Sequence, residues 1–399
     1  MPTDTPPLNV CLIGQKFMGR THSNAYLNVN KFFSRLPISP TMHTVCGRDA
    51  EDLERFRARW GWQHASVNWK ETVASDEIGL VDIGTPNHLH RDMAVAALEA
   101  GKHVACEKPL AGNLDDARAM RDAAAKAKGK SFVWYNYRRC PALALAYQMV
   151  KEDRIGRIYH VRNRYLQDWG GPDTPLLWRF KGDLAGSGAL GDLCAHSIDA
   201  ARFVTGDEIT SVSGAVLKTF IEERRIPSDS GSEISGKGAS TQPKMGKSTV
   251  DDAVIFTAQF KQGAIATFEA SRLSTGYKNG VYIEIHGEKG GLRWDFERMG
   301  ELNWYDATQP DHLQGWNTIQ VSDGPAGHPY VGAYWPAAHH IGYEHSFINQ
   351  VADIANVIGG QEPVVPLPDF ADAYETQRVL QAVIESAKES TTVPLSQIQ

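Results

Sequence analysis

Two short stretches carry side chains suited to moving a proton and a hydride. In the first, Val104-Ala105-Cys106-Glu107-Lys108-Pro109, an apolar run stops at a carboxylate and an amine. The proline fixes φ and removes a backbone donor, so a strand ladder ends there. In the second, Gly186-Ser187-Gly188-Ala189-Leu190-Gly191 leads into Asp192-Leu193-Cys194-Ala195-His196-Ser197-Ile198-Asp199. On an α-helix positions 192, 196 and 199 fall within roughly 60° of one another, so one face presents acid, imidazole and acid. A capped helix start with a hydrogen-bonded core histidine fits the same pattern. The preceding glycines point to close approach of a ligand or of a second backbone. Zinc is the weakest reading, because no Cys or His cluster elsewhere completes a ligand set from this single stretch of helix; the expected metal is none.

The reaction these groups suit is oxidation of a secondary alcohol. Hydride leaves carbon and a proton leaves oxygen, so a base must stand within hydrogen-bond reach of the hydroxyl. His196 is the natural base, since an ordinary imidazole titrates near neutrality. Asp192 would orient it and stabilise the imidazolium, and Lys108 would stabilise charge developing on oxygen. Glu107 would position Lys108 or a ribose.

Such groups need a scaffold. Val10-Cys11-Leu12-Ile13 is a continuous apolar run, followed by the turn Gly14-Gln15-Lys16-Phe17-Met18-Gly19 and a helix from Arg20 to about Asn28. Strand-like His43-Thr44-Val45-Cys46, Leu80-Val81-Asp82-Ile83, His103 to Cys106 and Phe132-Val133-Trp134-Tyr135 alternate with helices over Asp49 to Trp60, up to Ala100, and from Asn113, a cap, to Lys128. That alternation specifies a parallel, doubly wound sheet over residues 1–137. Ligands bind at the strand carboxyl ends, which here carry Gly14, Gly47-Arg48, Thr85-Pro86-Asn87, Glu107-Lys108 and Asn136. The first turn keeps two of the three glycines of the dinucleotide fingerprint, with Lys16 in the middle position; a cofactor loop and a plain strand-to-helix turn both fit it. An acid ending the second strand would bind a ribose 2′-hydroxyl and an Arg a 2′-phosphate. Gly47-Arg48-Asp49 leaves NAD and NADP both open.

After Arg138-Arg139-Cys140-Pro141 and a helix to about Glu152 the pattern changes to strands: Tyr159 to Trp169, Ile209 to Thr219, Val254 to Phe260, Ala264 to Ser271, Val281 to His286 and Leu292 to Phe296. Hairpin-sized turns join several of them, so residues 138–399 form an α+β domain with an antiparallel or mixed sheet. The fold class is α/β plus this α+β domain. Residues 222–249, rich in Ser, Gly and Lys, are expected to be a flexible insertion. Gln167-Asp168-Trp169 and Trp178-Arg179 could offer hydrogen bonds and an aromatic face to a sugar, or be ordinary loop packing. Tyr343-Glu344-His345 reads as a pocket wall or a capped helix start, and Asp369 to Glu389 as a packing helix.

The chain's 399 residues exceed what one core supports, which again predicts two domains. A formal charge of -6 with no dense Lys/Arg cluster argues against nucleic acid. Five scattered cysteines suit buried free thiols in a reducing compartment. Without an export signal or a membrane-length apolar run, the expected location is cytoplasmic, with no membrane partner.

These motifs resemble the glucose-fructose oxidoreductase, inositol dehydrogenase and MocA-like (Gfo/Idh/MocA) oxidoreductase family along nearly the whole chain. Glu107-Lys108-Pro109 matches the family signature after the fifth strand, and Gly191-Asp192 with His196 its Asp-x-x-x-His helix. Gly14, Met18 and Gly19 match its nucleotide turn, Lys16 departing from the common glycine, and Thr85-Pro86-Asn87 with His90 resemble its fourth strand end. The resemblance implies an N-terminal Rossmann domain binding a nicotinamide cofactor through Gly14, Phe17, Met18, Gly19, Arg48, Thr85, Pro86, Asn87, His90, Glu107, Lys108 and Asn136. It also implies a Lys and a His at the substrate hydroxyl, and homodimers or homotetramers formed through a large, open, mostly antiparallel C-terminal sheet. Tyr165-Leu166-Gln167-Asp168-Trp169 and Gly342-Tyr343-Glu344-His345 are similar to a branch that includes levoglucosan dehydrogenase and pyranoside 3-dehydrogenases. That branch implies NAD, with NADP not excluded, and a sugar, anhydrosugar or glycoside held by Lys108, Gln167, Asp168, Trp178, Arg179, Asp192, His196 and His345. Two other activities fit the same residues: an NAD-dependent glycosidase working by transient oxidation and elimination, and a non-catalytic sugar or cofactor sensor.

Overall fold

The computed structural model describes residues 5–227 and 244–398. The chain divides into two compact units, Met1–Arg139 with Ile341–Tyr374, and Cys140–His340 with Glu375–Gln399. In the first unit the strands β1 (Pro7–Ile13), β2 (Ser39–Cys46), β3 (His64–Ser66), β4 (Leu80–Ile83), β5 (His103–Cys106) and β6 (Ser131–Val133) form one parallel sheet in the order β3-β2-β1-β4-β5-β6. Helices α1 (Phe17–Phe32), α2 (Ala50–Trp60), α3 (Trp69–Ala74), α4 (His90–Glu99) and α5 (Leu114–Lys126) connect them. The strands are wholly buried at Leu12, Val45, Val81 and Val104, as a sheet covered on both faces requires. Strand order reverses between β1 and β4, so the crevice at the switch point opens beside Gly14 and Gly84. Asn113 caps α5 by accepting from the Asp116 N–H, and Asp49 caps α2 in the same way. The short β3 and α3 were not expected, being too brief to display a period.

Segment 341–374, assigned by sequence to the C-terminal domain, groups with this first unit. Its helix Tyr343–Ile358 brings Asp353 to Arg139 at 3.2 Å, both fully buried, and Gln350 donates to the Val133 carbonyl at 2.8 Å. The Val133 N–H in turn reaches the Pro368 carbonyl at 2.8 Å. The returning segment thereby satisfies backbone groups of β6, the last strand of the sheet.

The second unit contains α6 (Pro141–Lys151), α7 (Gly182–Ala185) and α8 (Ala195–Thr205). Among the described residues its sheet has nine strands: β7 (Ile158–Leu166), β8 (Ile209–Lys218), β11 (Ala253–Phe260), β12 (Ile265–Ser271), β13 (Gly280–Gly287), β14 (Gly290–Asp295), β15 (Glu301–Asp306), β16 (Trp316–Gln320) and β17 (Val393–Pro394). They lie in the order β16-β15-β14-β13-β7-β12-β11-β8-β17, parallel at β7/β12 and antiparallel elsewhere. Along β11 Val254, Phe256, Ala258 and Phe260 are buried, while Ile255 between them is exposed. This alternation gives one packed face and one open face.

Strands β9 (Glu223–Arg225) and β10 (Met245–Lys247) form a separate antiparallel pair. Both flanks of the expected flexible insertion therefore pair as strands, and residues 228–243 of it lie outside the described residues. The anchor is Arg224. It is fully buried, pairs with Asp252 at 3.0 Å, donates to the carbonyls of Gly170 and Gly171, and lies 3.7 Å above the Phe180 ring. Arg224→Ala would strand the Asp252 carboxylate and those carbonyls, at a cost of about 3–5 kcal/mol. The check is a urea midpoint measured at unchanged slope; a loss under about 1 kcal/mol would contradict the burial argument. No described helix is long and apolar enough to cross a membrane, and all five cysteines are buried and free.

Candidate active site

The rim of the first sheet is built by strand ends that each bond to a neighbouring strand. Gly14 N–H reaches the Cys46 carbonyl, Gly84 N–H that of Ile13, Glu107 N–H that of Ile83 and Trp134 N–H that of Cys106, each at 2.9 Å. Gly14 sits at φ +119°, and a Cβ there would fall 2.6 Å from the Gly84 oxygen. A Cβ on Gly19 would fall 2.2 Å from the Gly14 oxygen, so α1 starts hard against the turn. The first turn of α1 holds no acidic residue and its N-cap makes no side-chain bond, which leaves backbone donors directed at the crevice. Lys16 does not enter this space, because its amine pairs with Asp52 at 3.1 Å and Gln15 donates to the same carboxylate at 2.6 Å. A glycine-shaped turn with uncapped helix donors fits a dinucleotide's pyrophosphate. Phe17 and Arg48 are exposed at this rim, with Met18, Thr85 and Pro86 half-buried.

Some rim residues expected at the cofactor are engaged within the protein. His90 is wholly buried, with Nε2 at 3.0 Å from the Thr85 carbonyl and Nδ1 at 3.2 Å from those of Pro109 and Leu110. It fastens two rim loops together and offers no ring atom to a ligand. Burial also pushes its pKa down, despite the opposing backbone carbonyls. Asn136 is buried and donates to Ser346 Oγ at 2.9 Å, and Asn87 is buried as well. His345, expected at a substrate, belongs to the first unit, where its Nδ1 accepts from the Gly342 N–H at 3.0 Å and caps the helix Tyr343–Ile358. Lys108 is half-buried, its backbone N–H donating to Glu107 Oε2 at 3.1 Å, and the Lys108-Pro109 bond is cis.

Beneath Glu107 lies a buried cluster that sequence reasoning missed. His22 on α1 places Nδ1 2.9 Å from Asp82 Oδ2 and Nε2 3.1 Å from Glu107 Oε1. Trp134 Nε1 donates to Asp82 Oδ1 at 2.8 Å and its ring stacks on His22 at 4.2 Å.

In the second unit Asp192 lies in a π-helical turn, Leu190–Cys194, that runs into α8. Such wider turns occur frequently at functional sites, and here one replaces the regular helix from which the shared face of 192, 196 and 199 was reckoned. The close approach that the glycines signal is to backbone: a Cβ on Gly188 would fall 1.7 Å from the Asp251 oxygen. The buried Asp251 carboxylate accepts from the N–H groups of Gly188 at 2.6 Å and Leu190 at 2.8 Å, fixing the start of the turn. Asp192, partly exposed, pairs with Arg272 at 2.9 Å; Arg272 is almost wholly buried, donates to the Arg179 carbonyl at 3.1 Å and lies 5.2 Å from the Trp169 ring. His196 and Asp199 are buried, and the His196 ring centroid stands 5.8 Å from that of Tyr165.

The nearby sugar-site candidates form a bonded chain. Trp169 Nε1 donates to Gln167 Oε1 at 2.6 Å, Gln167 Nε2 to Asn279 Oδ1 at 2.8 Å, and Tyr165 OH to the same oxygen at 2.7 Å. Gln167 thus holds Trp169 in place. Asp168 pairs with the exposed Lys278 at 2.6 Å, which holds its carboxyl below the usual range. The Arg179 guanidinium lies 4.5 Å from the Trp178 ring centroid, both half-buried. Arg272 therefore carries the Asp192 acid and the Trp169 indole beside it, an arrangement suited to a polyhydroxylated ligand. Among the described residues no group of three or more His, Cys, Asp or Glu could hold a metal.

Residues 8–136 match the model of an oxidoreductase family with NAD-binding Rossmann fold, and residues 143–293 match the GFO/IDH/MocA C-terminal domain. Levoglucosan dehydrogenase of Pseudarthrobacter phenanthrenivorans is 39% identical over 98% of this chain and 99% of its own length. D-glucoside 3-dehydrogenase of Escherichia coli is 27% identical over 71% of this chain and 76% of its own. Among solved structures, an oxidoreductase domain protein from Kribbella flavida superposes with TM-score 0.90 at 44% identity, covering 98% of this chain and 99% of that one. Levoglucosan dehydrogenase in complex with NADH and levoglucosan gives 0.89 at 38%, with the same coverage. With a parallel nucleotide-type sheet, a mixed nine-stranded sheet and full-length relatives, the chain belongs to the Gfo/Idh/MocA family of oxidoreductases and carries that family's NAD-binding Rossmann domain.

Proposed function

We propose that this protein is an NAD-dependent dehydrogenase that oxidises a secondary hydroxyl of a sugar, anhydrosugar or glycoside, with C3 of a pyranoside as the favoured position. The observation that carries this reading is the full-length likeness to levoglucosan dehydrogenase. NAD, when bound, supplies the hydride acceptor. Gly14, Phe17, Met18 and Gly19 would hold its pyrophosphate end, with Arg48, Thr85, Pro86 and Glu107 along the same rim. His196 takes the hydroxyl proton, Asp192 orients the imidazole, and the Lys108 ammonium stabilises charge on the oxygen. Trp178, Arg179 and Trp169 give the ring an aromatic and hydrogen-bonding wall. A second copy of the chain would cover the open sheet face, where Val216, Ile255 and Ile265 are exposed, giving a homodimer or homotetramer.

The test is NADH fluorescence on mixing the protein with NAD or NADP and a panel of pyranosides, levoglucosan and inositols, with product analysis in parallel. A steady rise with NAD and a pyranoside or levoglucosan is expected. Glycoside cleavage without net NADH would replace this reading with the transient-oxidation glycosidase, and tight cofactor binding without turnover of any sugar would replace it with the sensor.

A further inference from the structure

The chemistry just described makes no use of the buried His22 cluster. Burying three ionisable groups is costly, and apolar side chains of similar volume would pack the same space. His22 and Asp82 are fully buried and Glu107 nearly so. Ionised carboxylates only accept hydrogen bonds, yet each ring nitrogen faces a carboxylate oxygen at hydrogen-bond distance. Two protons must therefore be shared along the line Asp82–His22–Glu107, whichever atoms carry them, and the trio keeps a net charge of -1. Its far end is Glu107, whose second oxygen accepts from the Lys108 backbone N–H. Its near end is Trp134, whose indole N–H holds the second oxygen of Asp82.

We propose that His22 is a positioning residue for Lys108: by bridging Asp82 and Glu107 it holds one oxygen of the Glu107 carboxylate and so aims the other at the Lys108 backbone N–H, fixing the backbone from which the Lys108 ammonium projects. The role assigned to Lys108 rests on the dehydrogenase reading above; the bridge itself does not.

The groups facing this site are Asp82 from β4, Cys106 from β5 and Glu107 just past its end, Cys11 from β1 and Tyr26 from α1 itself, with uncharged Trp134 and Phe347 closing the ring faces. Burial lifts Tyr26 and Cys106, and the hydrogen bond that Cys11 shares with Cys46 lifts Cys11, so none of them ionises in the neutral range. Burial alone would pull His22 down, but Asp82 and then Glu107 outweigh it and raise the imidazole to about 9. A raised value means the bridge is complete below the ordinary imidazole range and is lost as pH climbs through about 9.

The experiment compares wild type, His22→Gln, Trp134→Phe and the double variant His22→Gln/Asp82→Asn. A protonated imidazole stacked on indole quenches its emission, so the wild-type signal less that of Trp134→Phe should rise as pH passes about 9 and stay flat in His22→Gln. In His22→Gln one carboxylate meets an amide oxygen, and kcat should fall by about tenfold or more with NADH affinity held within about threefold, as expected of a small misplacement near the reaction. In the double variant the amide replacing Asp82 can accept from Trp134 and donate to the amide replacing His22, which donates to Glu107. This chain, with the same net charge of -1 now on Glu107 alone, should restore kcat to within about threefold of wild type. An emission difference that titrates identically in His22→Gln overturns the bridge, even if no sugar is turned over. A kcat untouched by His22→Gln, or a double variant no faster than the single one at equal melting temperature, overturns the positioning role.

Discussion

Lys108→Ala is expected to lower kcat by on the order of 10²–10³-fold, the usual cost of deleting a donor aimed at a developing oxyanion. NADH binding and the melting temperature should barely move. The side chain is half-buried, and the backbone N–H that meets Glu107 survives the substitution. Stopped-flow turnover, NADH fluorescence titration and a thermal melt together separate these effects. Wild-type kcat in the variant would remove Lys108 from the chemistry, and loss of NADH affinity with unchanged kcat would make it a cofactor contact instead.

His196→Asn should cost on the order of 10²–10⁴-fold in kcat, as removal of a positioned general base does. The pH profile is the sharper readout. A base must be unprotonated to act, so any acid limb that His196 sets in the wild-type kcat profile should be lost in the variant. An unaltered limb would assign the base elsewhere. Asp192→Asn is a less clean probe, because Arg272, almost wholly buried, would lose its counter-charge at the same time. Its effects on kcat and on stability must therefore be read together.

The motifs that end elements were legible in sequence. Glu107-Lys108-Pro109 announces a strand end because proline stops a ladder, and Asp192 and His196 share a short local stretch, so their proximity needs no knowledge of the fold. The two structures that hold them were not legible. His22 meets Asp82 and Glu107 across 60 and 85 positions, and Asp82 sits inside the apolar run Leu80–Ile83, where a lone acid gives no sign of its partner. Asp251 and Asp252 stand side by side just before a strand with nothing in sequence to mark a buried role, yet one caps the turn carrying Asp192 and the other receives Arg224. A polar residue buried by a distant partner looks like a surface residue until the topology is known. The same limit explains segment 341–374: its apolar stripe declares a packed helix but not which sheet it packs against.

That returning segment also sets the order in which the protein can mature. The nucleotide-type sheet is encoded first, but Phe347, Gln350, Asp353 and Pro368, which pack on His22 or satisfy Val133 and Arg139, are encoded only after the whole stretch Cys140–His340. At roughly 5–20 residues per second, a ribosome needs on the order of 10–40 s to make those ~200 intervening residues. During that interval the β6 side of the nascent sheet lacks the groups that satisfy Val133 and Arg139 in the folded chain.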